Sequence, residues 1–238
     1  MIDVRTIALA ALLVACGCAS TADVPQLSPS GTMDEAGMVD VRSLVPDIAQ
    51  DIRYFGSDNF VGAPVDGYEA PRCFLKREAA EALARVERRL RERDQRLRLY
   101  DCYRPARAVA HFMRWASDPG DLKTKATHYP DFDKPQLLGE YIAPVSGHSR
   151  GATLDLTLLQ CDVDGIRCEA LDMGTDFDFF GTRANTDSPE VSAAQRANRR
   201  RLRAEMLAEG FHNYPMEWWH YTFKPEPTPG RLYDVPVR

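Results

Sequence analysis

Two short motifs constrain this chain more than anything else in it: Ser146-Gly-His-Ser-Arg-Gly-Ala-Thr-Leu-Asp155 and, about sixty residues later, Glu217-Trp-Trp-His220. Each couples an imidazole to a carboxylate, and any fold that uses them must bring the two segments to one point. A hydrolytic zinc site takes three protein ligands from His, Asp, Glu or Cys and leaves a position open for a water that it acidifies. By residue type His148, Asp155 and His220 suit the ligands, which leaves Glu217 free as a base.

The backbone around these residues is partly legible. The run Ala152-Thr-Leu-Asp-Leu-Thr-Leu158 alternates strictly, so Ala152, Leu154, Leu156 and Leu158 share one face of a strand and Thr153, Asp155 and Thr157 the other. Asp155 is therefore expected to point away from the core side of a half-buried strand. Gly147 and Gly151 give the His148 loop the backbone freedom to approach it. Glu217 and His220 pose a difficulty, because residues three apart on a regular strand face opposite sides. Tyr214-Pro215 just upstream predicts a turn or irregular entry that removes it. Taken singly, each of these residues has a plainer reading: His148 as a hydrogen-bonded structural residue, Asp155 as a solvated strand residue, Trp218, Trp219, Tyr221 and Phe223 as core. His111, His128 and His212 are candidates by type, but none has a carboxylate companion in a motif.

Elsewhere, Ala80, Leu83, Val86 and Leu90 recur at helical steps among Glu and Arg, marking an amphipathic helix over Arg77 to Gln95. Leu97 to Tyr103 alternates like a strand. Pro105 opens a second helix, Ala106 to about Ala116. Asp118 to Tyr141, with four Asp residues and three Pro, reads as a long surface excursion of the kind that borders active sites. A third helix is expected from Pro189 to about Glu209, capped by Ser188 and ended by Gly210. Glu217 to Phe223 is strand-like. Helices mixed with antiparallel-looking strands, without βαβ alternation, predict an α+β fold: a single domain with a central antiparallel sheet and flanking helices.

With 44% hydrophobic and 27% charged residues over 238 positions, the chain can bury one sizeable core. A net charge of -5 argues against nucleic acid as a partner. The basic cluster Arg199, Arg200, Arg201 and Arg203 reads as the solvated face of the third helix.

The N-terminus reads as an address: Arg5, then the apolar run Ile7 to Val14, too short to span a bilayer but suited to a signal segment. It ends in Leu13-Val14-Ala15-Cys16, which resembles a bacterial lipobox and implies a lipid anchor through Cys16. Residues 1–18 are thus an export segment, 19–38 a flexible tether rich in Ser, Pro, Gly and Thr, and 39–238 the catalytic domain. The expected location is periplasmic or cell-envelope, membrane-anchored. Export permits two disulfides among Cys73, Cys102, Cys161 and Cys168, with three connectivities open. The turn-like Asp162-Val-Asp-Gly165 favours a small loop closed by Cys161 and Cys168, leaving Cys73 with Cys102. Neither pair has the spacing structural zinc favours.

Several motifs in register resemble one family. Ser146-x-His148-Ser-Arg-Gly-x-x-x-Asp155-Leu-Thr-Leu and Glu217-Trp-Trp-His220-Tyr are similar to those of the zinc D-alanyl-D-alanine dipeptidases of the VanX type, within the Hedgehog/D,D-peptidase-like superfamily. So are Asn59-Phe-x-Gly-x-Pro-Val-Asp-Gly-Tyr68, Asp101-x-Tyr-Arg-Pro105 and Met173-Gly-x-x-Phe-Asp178. The similarity runs from about Val39 to Val237. It implies that His148, Asp155 and His220 bind one Zn²⁺ per chain, that Glu217 is the general base and that Arg104 stabilises the oxyanion. Asp178, with Asp176 as the alternative, is expected to meet the substrate ammonium. Ser146, Tyr54 and Tyr68 are placed near the bound dipeptide, and Asp101 is expected to orient Arg104.

The expected function is zinc-dependent hydrolysis of D-Ala-D-Ala to two D-Ala, in dipeptide scavenging or peptidoglycan turnover. One rival is a D,D- or L,D-carboxypeptidase acting on longer stem peptides; another is a noncatalytic zinc-containing wall-binding lipoprotein. Retention of Glu217 and Arg104 argues against the second. The sequence leaves the oligomeric state open.

Overall fold

A computed structural model describes residues 25–165 and 167–238. The signal run and Cys16 lie outside the described residues. In chain order the elements are β1 (Gln26–Leu27), β2 (Met38–Asp40), β3 (Ala49–Gln50), β4 (Phe74–Lys76), α1 (Arg77–Arg91), β5 (Gln95–Asp101), α2 (Ala106–Ala116), α3 (Lys125–His128), α4 (Lys134–Leu137), β6 (Thr153–Cys161), β7 (Cys168–Ala170), α5 (Ala193–Leu207), β8 (Phe211–Asn213), β9 (His220–Phe223) and β10 (Arg231–Leu232).

The main sheet runs β3-β5-β6-β9-β8, with β7 pairing the end of β6 beyond β9. It is antiparallel apart from the edge strand β3, which is parallel to β5. α1 packs on β4 and β5, α5 on β8 and β6, and the two helices touch. Leu154, Leu156 and Leu158 are fully buried, and most of the buried apolar residues form one connected core. The α+β reading therefore holds.

The opposite face of β6 is not solvated as its alternation predicts. Thr153, Asp155 and Thr157 are at most 2% exposed. Loops and aromatic side chains roof this face: Tyr100 stacks on Phe177, which meets Trp219 edge-on. Alternation in sequence marks two chemically different faces but cannot show that the polar one is covered.

Register brings the site together. Asp155 on β6 pairs with His220 on β9 and with Asp101 on β5, so three polar side chains stand in one row across neighbouring strands. Asp101 reaches this row through a bulge. Leu97 and Leu99 pair with Leu158 and Leu156, and one extra residue, Tyr100, shifts the register so that Asp101 opposes Asp155 instead of Leu154.

Four expectations are corrected. Residues 26–38, assigned to the tether, lie against the domain: β1 pairs with β10, and Ala36 and Met38 are buried. The third helix begins at Ala193, where Ser192 and Gln195 form a capping box, not at Pro189. The excursion 118–141 is not merely superficial, since it contains α3 and α4 and buries His128, Tyr129, Lys134 and Leu137. Arg199 is completely buried rather than solvated. Cysteines pair as Cys73–Cys102 and Cys161–Cys168.

Candidate active site

His148 sits in the 3-10 turn Gly147–Arg150 that leads into β6. Ser146 caps this turn, its hydroxyl accepting from the His148 N–H at 3.2 Å, and Gly151 ends it at φ +77. The left-handed φ is one that a side chain would strain. The His148 ring is 1% exposed. Its Nδ1 donates to the Cys102 carbonyl at 2.7 Å, which places the proton there and leaves the Nε2 lone pair facing the cluster.

Across from it, His148 Nε2 lies 3.3 Å from His220 Nδ1 and 3.4 Å from Asp155 Oδ2, while His220 Nδ1 lies 3.1 Å from Asp155 Oδ1. The three donor atoms fall within 4.8 Å of one another. Asp155 Oδ1 is buried, facing His220 Nδ1. Two inward imidazole nitrogens and a buried carboxylate converging within this distance are a donor set that fits a divalent cation such as zinc. Burial lowers the His148 pKa, whereas the His220 pKa is raised against its own burial by the Asp155 carboxylate. Asp155 is held below the usual carboxylate range; burial opposes this, but the two imidazoles outweigh it.

Glu217 precedes β9 in an irregular turn. The Glu217 N–H bonds the Tyr214 carbonyl, His220 N–H bonds the Glu217 carbonyl, and Asn213 Nδ2 donates to both the Glu217 and His220 carbonyls at 3.0 Å. The chain is therefore not a strand over residues 214–219, and Glu217 turns back to within 3.5 Å of His220. This settles the geometric difficulty posed by the spacing. Burial, reinforced by the Asp155 charge, pushes the Glu217 carboxyl up to about 7.

Arg104 follows β5, with its Nε and Nη2 2.9 Å from Asp101 Oδ2 and Nη2 3.5 Å from Asp155. The guanidinium lies 5.0 Å from the Tyr54 ring centre and 4.9 Å from that of Phe112. Asp101 also lies 3.3 Å from His148 Nδ1, so one buried carboxylate orients two side chains of the site.

His148, Asp155, His220, Glu217 and Arg104 line a cavity of about 300 Å³ together with Tyr54, Ser146, Asp178, Tyr141, Tyr214 and Glu140. Asp178 is 4% exposed, and its two oxygens accept from the Tyr54 hydroxyl at 2.9 and 3.1 Å. Burial, then the charge of Asp155, raises its pKa well above the carboxylate range.

The structure does not bring every expected residue here. Tyr68 stands behind the cavity, its hydroxyl committed to Asp101 at 2.6 Å and its ring 5.7 Å from that of Tyr54, so it supports the site from behind and does not line it. Asp176 faces a separate surface pocket. His111 accepts from the Asp66 N–H, and His128 hydrogen-bonds the Asp178 carbonyl, outside the cluster of donors. Glu140, Tyr141 and Tyr214, which carry no motif, were not identified from the sequence. Only the position of the excursion hinted at the first two.

The model of the D-ala-D-ala dipeptidase family, within the M15 peptidases, matches residues 34–238. The chain belongs to this family. Among similar dipeptidase-family members, the D-alanyl-D-alanine dipeptidase of Enterococcus faecium is 39% identical over 86% of this chain and 100% of its own length. That of Streptomyces coelicolor is 43% identical over 83% and 96%, and that of Escherichia coli 32% over 79% and 85%. As an M15 dipeptidase-family member the chain is a metallopeptidase. The match begins four residues before Met38, in keeping with the buried Ala36 and Met38.

Proposed function

We propose that this metallopeptidase hydrolyses D-Ala-D-Ala to two molecules of D-Ala, with one Zn²⁺ held by His148, Asp155 and His220. The observation that carries the substrate assignment is Asp178: a buried carboxylate with no ion-pair partner among the described residues, in the same small cavity as the His/Asp cluster. A buried carboxylate without a counter-charge is costly. The free ammonium of a dipeptide supplies that charge and restores the ionised form.

Held by His148, Asp155 and His220, zinc would supply Lewis acidity to the attacking water and the scissile carbonyl. Glu217 accepts the proton of the attacking water and passes it to the leaving amine; a pKa near 7 suits both tasks. Arg104, fixed by Asp101, offsets negative charge as it grows on the carbonyl oxygen. Tyr54 aims the Asp178 carboxylate at the ammonium, and the Ser146 hydroxyl, which already accepts from His148 N–H, still has its proton to donate to the dipeptide.

Export with a lipid anchor at Cys16 belongs to the same proposal. It is supported by the apolar run and lipobox-like sequence of residues 7–16 and by two disulfides, which persist in oxidising compartments. Such a location suits scavenging of wall-derived dipeptide. If Cys16→Ala leaves membrane fractionation of the full chain unchanged, the anchor is wrong.

The test of the substrate is a paired assay of zinc-loaded enzyme on D-Ala-D-Ala and on a stem pentapeptide ending in D-Ala-D-Ala. Release of D-Ala from the dipeptide alone is expected. Cleavage of the pentapeptide with the dipeptide untouched would instead identify a carboxypeptidase.

A further inference from the structure

Arg199 projects from α5 into the protein and is 0% exposed, yet among the described residues it has no carboxylate within ion-pair distance. Its Nε donates to the Met173 carbonyl at 2.7 Å, and its Nη1 to the carbonyls of Arg183 and Asn185 at 3.0 and 2.7 Å. Nη2 is buried without a partner. Burial pulls its pKa down only to about 10, so it remains a cation at neutral pH. A buried, unpaired guanidinium is unfavourable, and an apolar side chain would fill the space at less cost. Its three acceptors suggest what is gained in return.

Met173 stands at the start, and Arg183 and Asn185 at the end, of the segment whose middle carries Asp178. One guanidinium therefore closes this segment into a loop. Neighbours on α5 strengthen the same closure: Gln195 Nε2 donates to Asp172 Oδ2 at 2.8 Å, and Asn198 Nδ2 to the Asp172 carbonyl at 3.0 Å. Inside the loop Asp178 has φ +59, a left-handed conformation uncommon for a residue with a side chain. It persists there because its surroundings hold it. Its carbonyl bonds His128 Nδ1 at 3.0 Å, its carboxylate meets Tyr54, and the loop ends are fixed by Arg199.

We infer that Arg199 is a positioning residue for substrate selection: it clamps the ends of the 173–185 loop so that Asp178 is presented to the ammonium of the dipeptide. This rests on the reading of Asp178 as the ammonium partner. Arg199 itself touches neither the cavity nor the donor cluster. Its loss should therefore affect recognition of the amine end more than the chemistry.

The test compares free D-Ala-D-Ala with N-acetyl-D-Ala-D-Ala, which lacks the ammonium, on metal-loaded wild type, Asp178→Asn, Arg199→Met and Arg199→Lys, with metal content and thermal unfolding measured alongside. In wild type the free dipeptide is strongly preferred, and Asp178→Asn abolishes the preference. Arg199→Met is expected to raise KM for the free dipeptide about tenfold with kcat within about twofold, and to lower the free-to-acetylated preference by a similar factor. Arg199→Lys recovers part of it. A purely structural role would lower the unfolding temperature and leave the preference intact, which would overturn the inference. Should Arg199→Met fail to fold, Arg199→Lys and the half-buried double variant Gln195→Ala/Asn198→Ala carry the same comparison: a reduced preference supports the clamp, an unchanged one in both overturns it. If wild type shows no preference, the Asp178 reading itself fails and this one with it. If only Asp178→Asn loses the preference, the clamp alone is wrong.

Discussion

Asp101 opposes Asp155 across β5 and β6 because a bulge at Tyr100 moves it off the leucine face of the strand. The two buried carboxylates would repel, but Arg104 reaches both, at 2.9 and 3.5 Å, and His148 lies between them, 3.3 Å from Asp101 and 3.4 Å from Asp155. Asp101 thereby fixes the positions of Arg104 and His148 at once. Tyr68 stands one bond further out, on Asp101.

Asp101→Asn should therefore lower both metal retention and kcat/KM, by roughly 10–100-fold, the range found for residues that orient metal-ligating histidines. Tyr68→Phe should have the same direction and a smaller effect. Metal content by elemental analysis, with kinetics on the same preparations, checks the order. An unaltered Asp101→Asn enzyme would show that the row does not orient the site.

Gly151→Ala should destabilise the domain by about 1–2 kcal/mol, the cost of a left-handed residue with a side chain. The new methyl would also lie 2.7 Å from Met38 Cε, so the Met38 side chain must shift. Urea denaturation measures this. No change in the midpoint would mean that the turn carrying His148 relaxes freely.

The disulfides differ in loop length, with separations of 29 and 7 residues. Loop-closure entropy predicts about 3–4 kcal/mol from Cys73–Cys102 and about 2 kcal/mol from Cys161–Cys168. Paired Ser substitutions compared by denaturant midpoint should give that order. The first pair also flanks Asp101 and the carbonyl that orients His148, so its removal should weaken metal retention as well, whereas removal of the second should not.

Acid should destabilise the fold through its exposed ion pairs. The Arg91 hydrogen bond holds Asp47 at about 2 against an ordinary 3.8, and Arg85 and Arg89 hold Glu209 below its ordinary value. Glu205 is lowered too, against its own burial, by Arg89 and Arg93. Each folded pKa lies below the unfolded one, so this stability is complete above about pH 5 and is lost as pH falls toward about 2. Solvent screening keeps each contribution small. Unfolding temperatures measured between about pH 6 and pH 3 should fall with pH, and Arg89→Ala should flatten the fall. A profile identical to wild type would contradict it.

Much of the site was legible because its residue types are chemically uncommon and closely spaced. The His148 to Asp155 interval spans a glycine-ended turn and a strand, and Pro105 marks the start of α2. Other features depended on contacts far apart in sequence. The Tyr100 bulge is invisible to alternation, which would have put Asp101 on the leucine face. Arg199 lies in a run of arginines whose exposed members set the expectation for all of them; only the position of the 173–185 loop shows that it turns inward. Tyr68 carries the motif but spends its hydroxyl on Asp101. The segment before Met38 has a linker's composition, yet β10 offers it a strand edge.

The central claim is metal-dependent hydrolysis with Glu217 as the base, and the most direct measurement is D-Ala released from D-Ala-D-Ala by zinc-loaded wild type, metal-stripped wild type and zinc-loaded Glu217→Ala. Activity is predicted for the first alone, with Glu217→Ala carrying as much zinc as wild type and losing activity by about 10²-fold or more. A zinc-loaded Glu217→Ala enzyme that releases D-Ala at the wild-type rate would contradict the account.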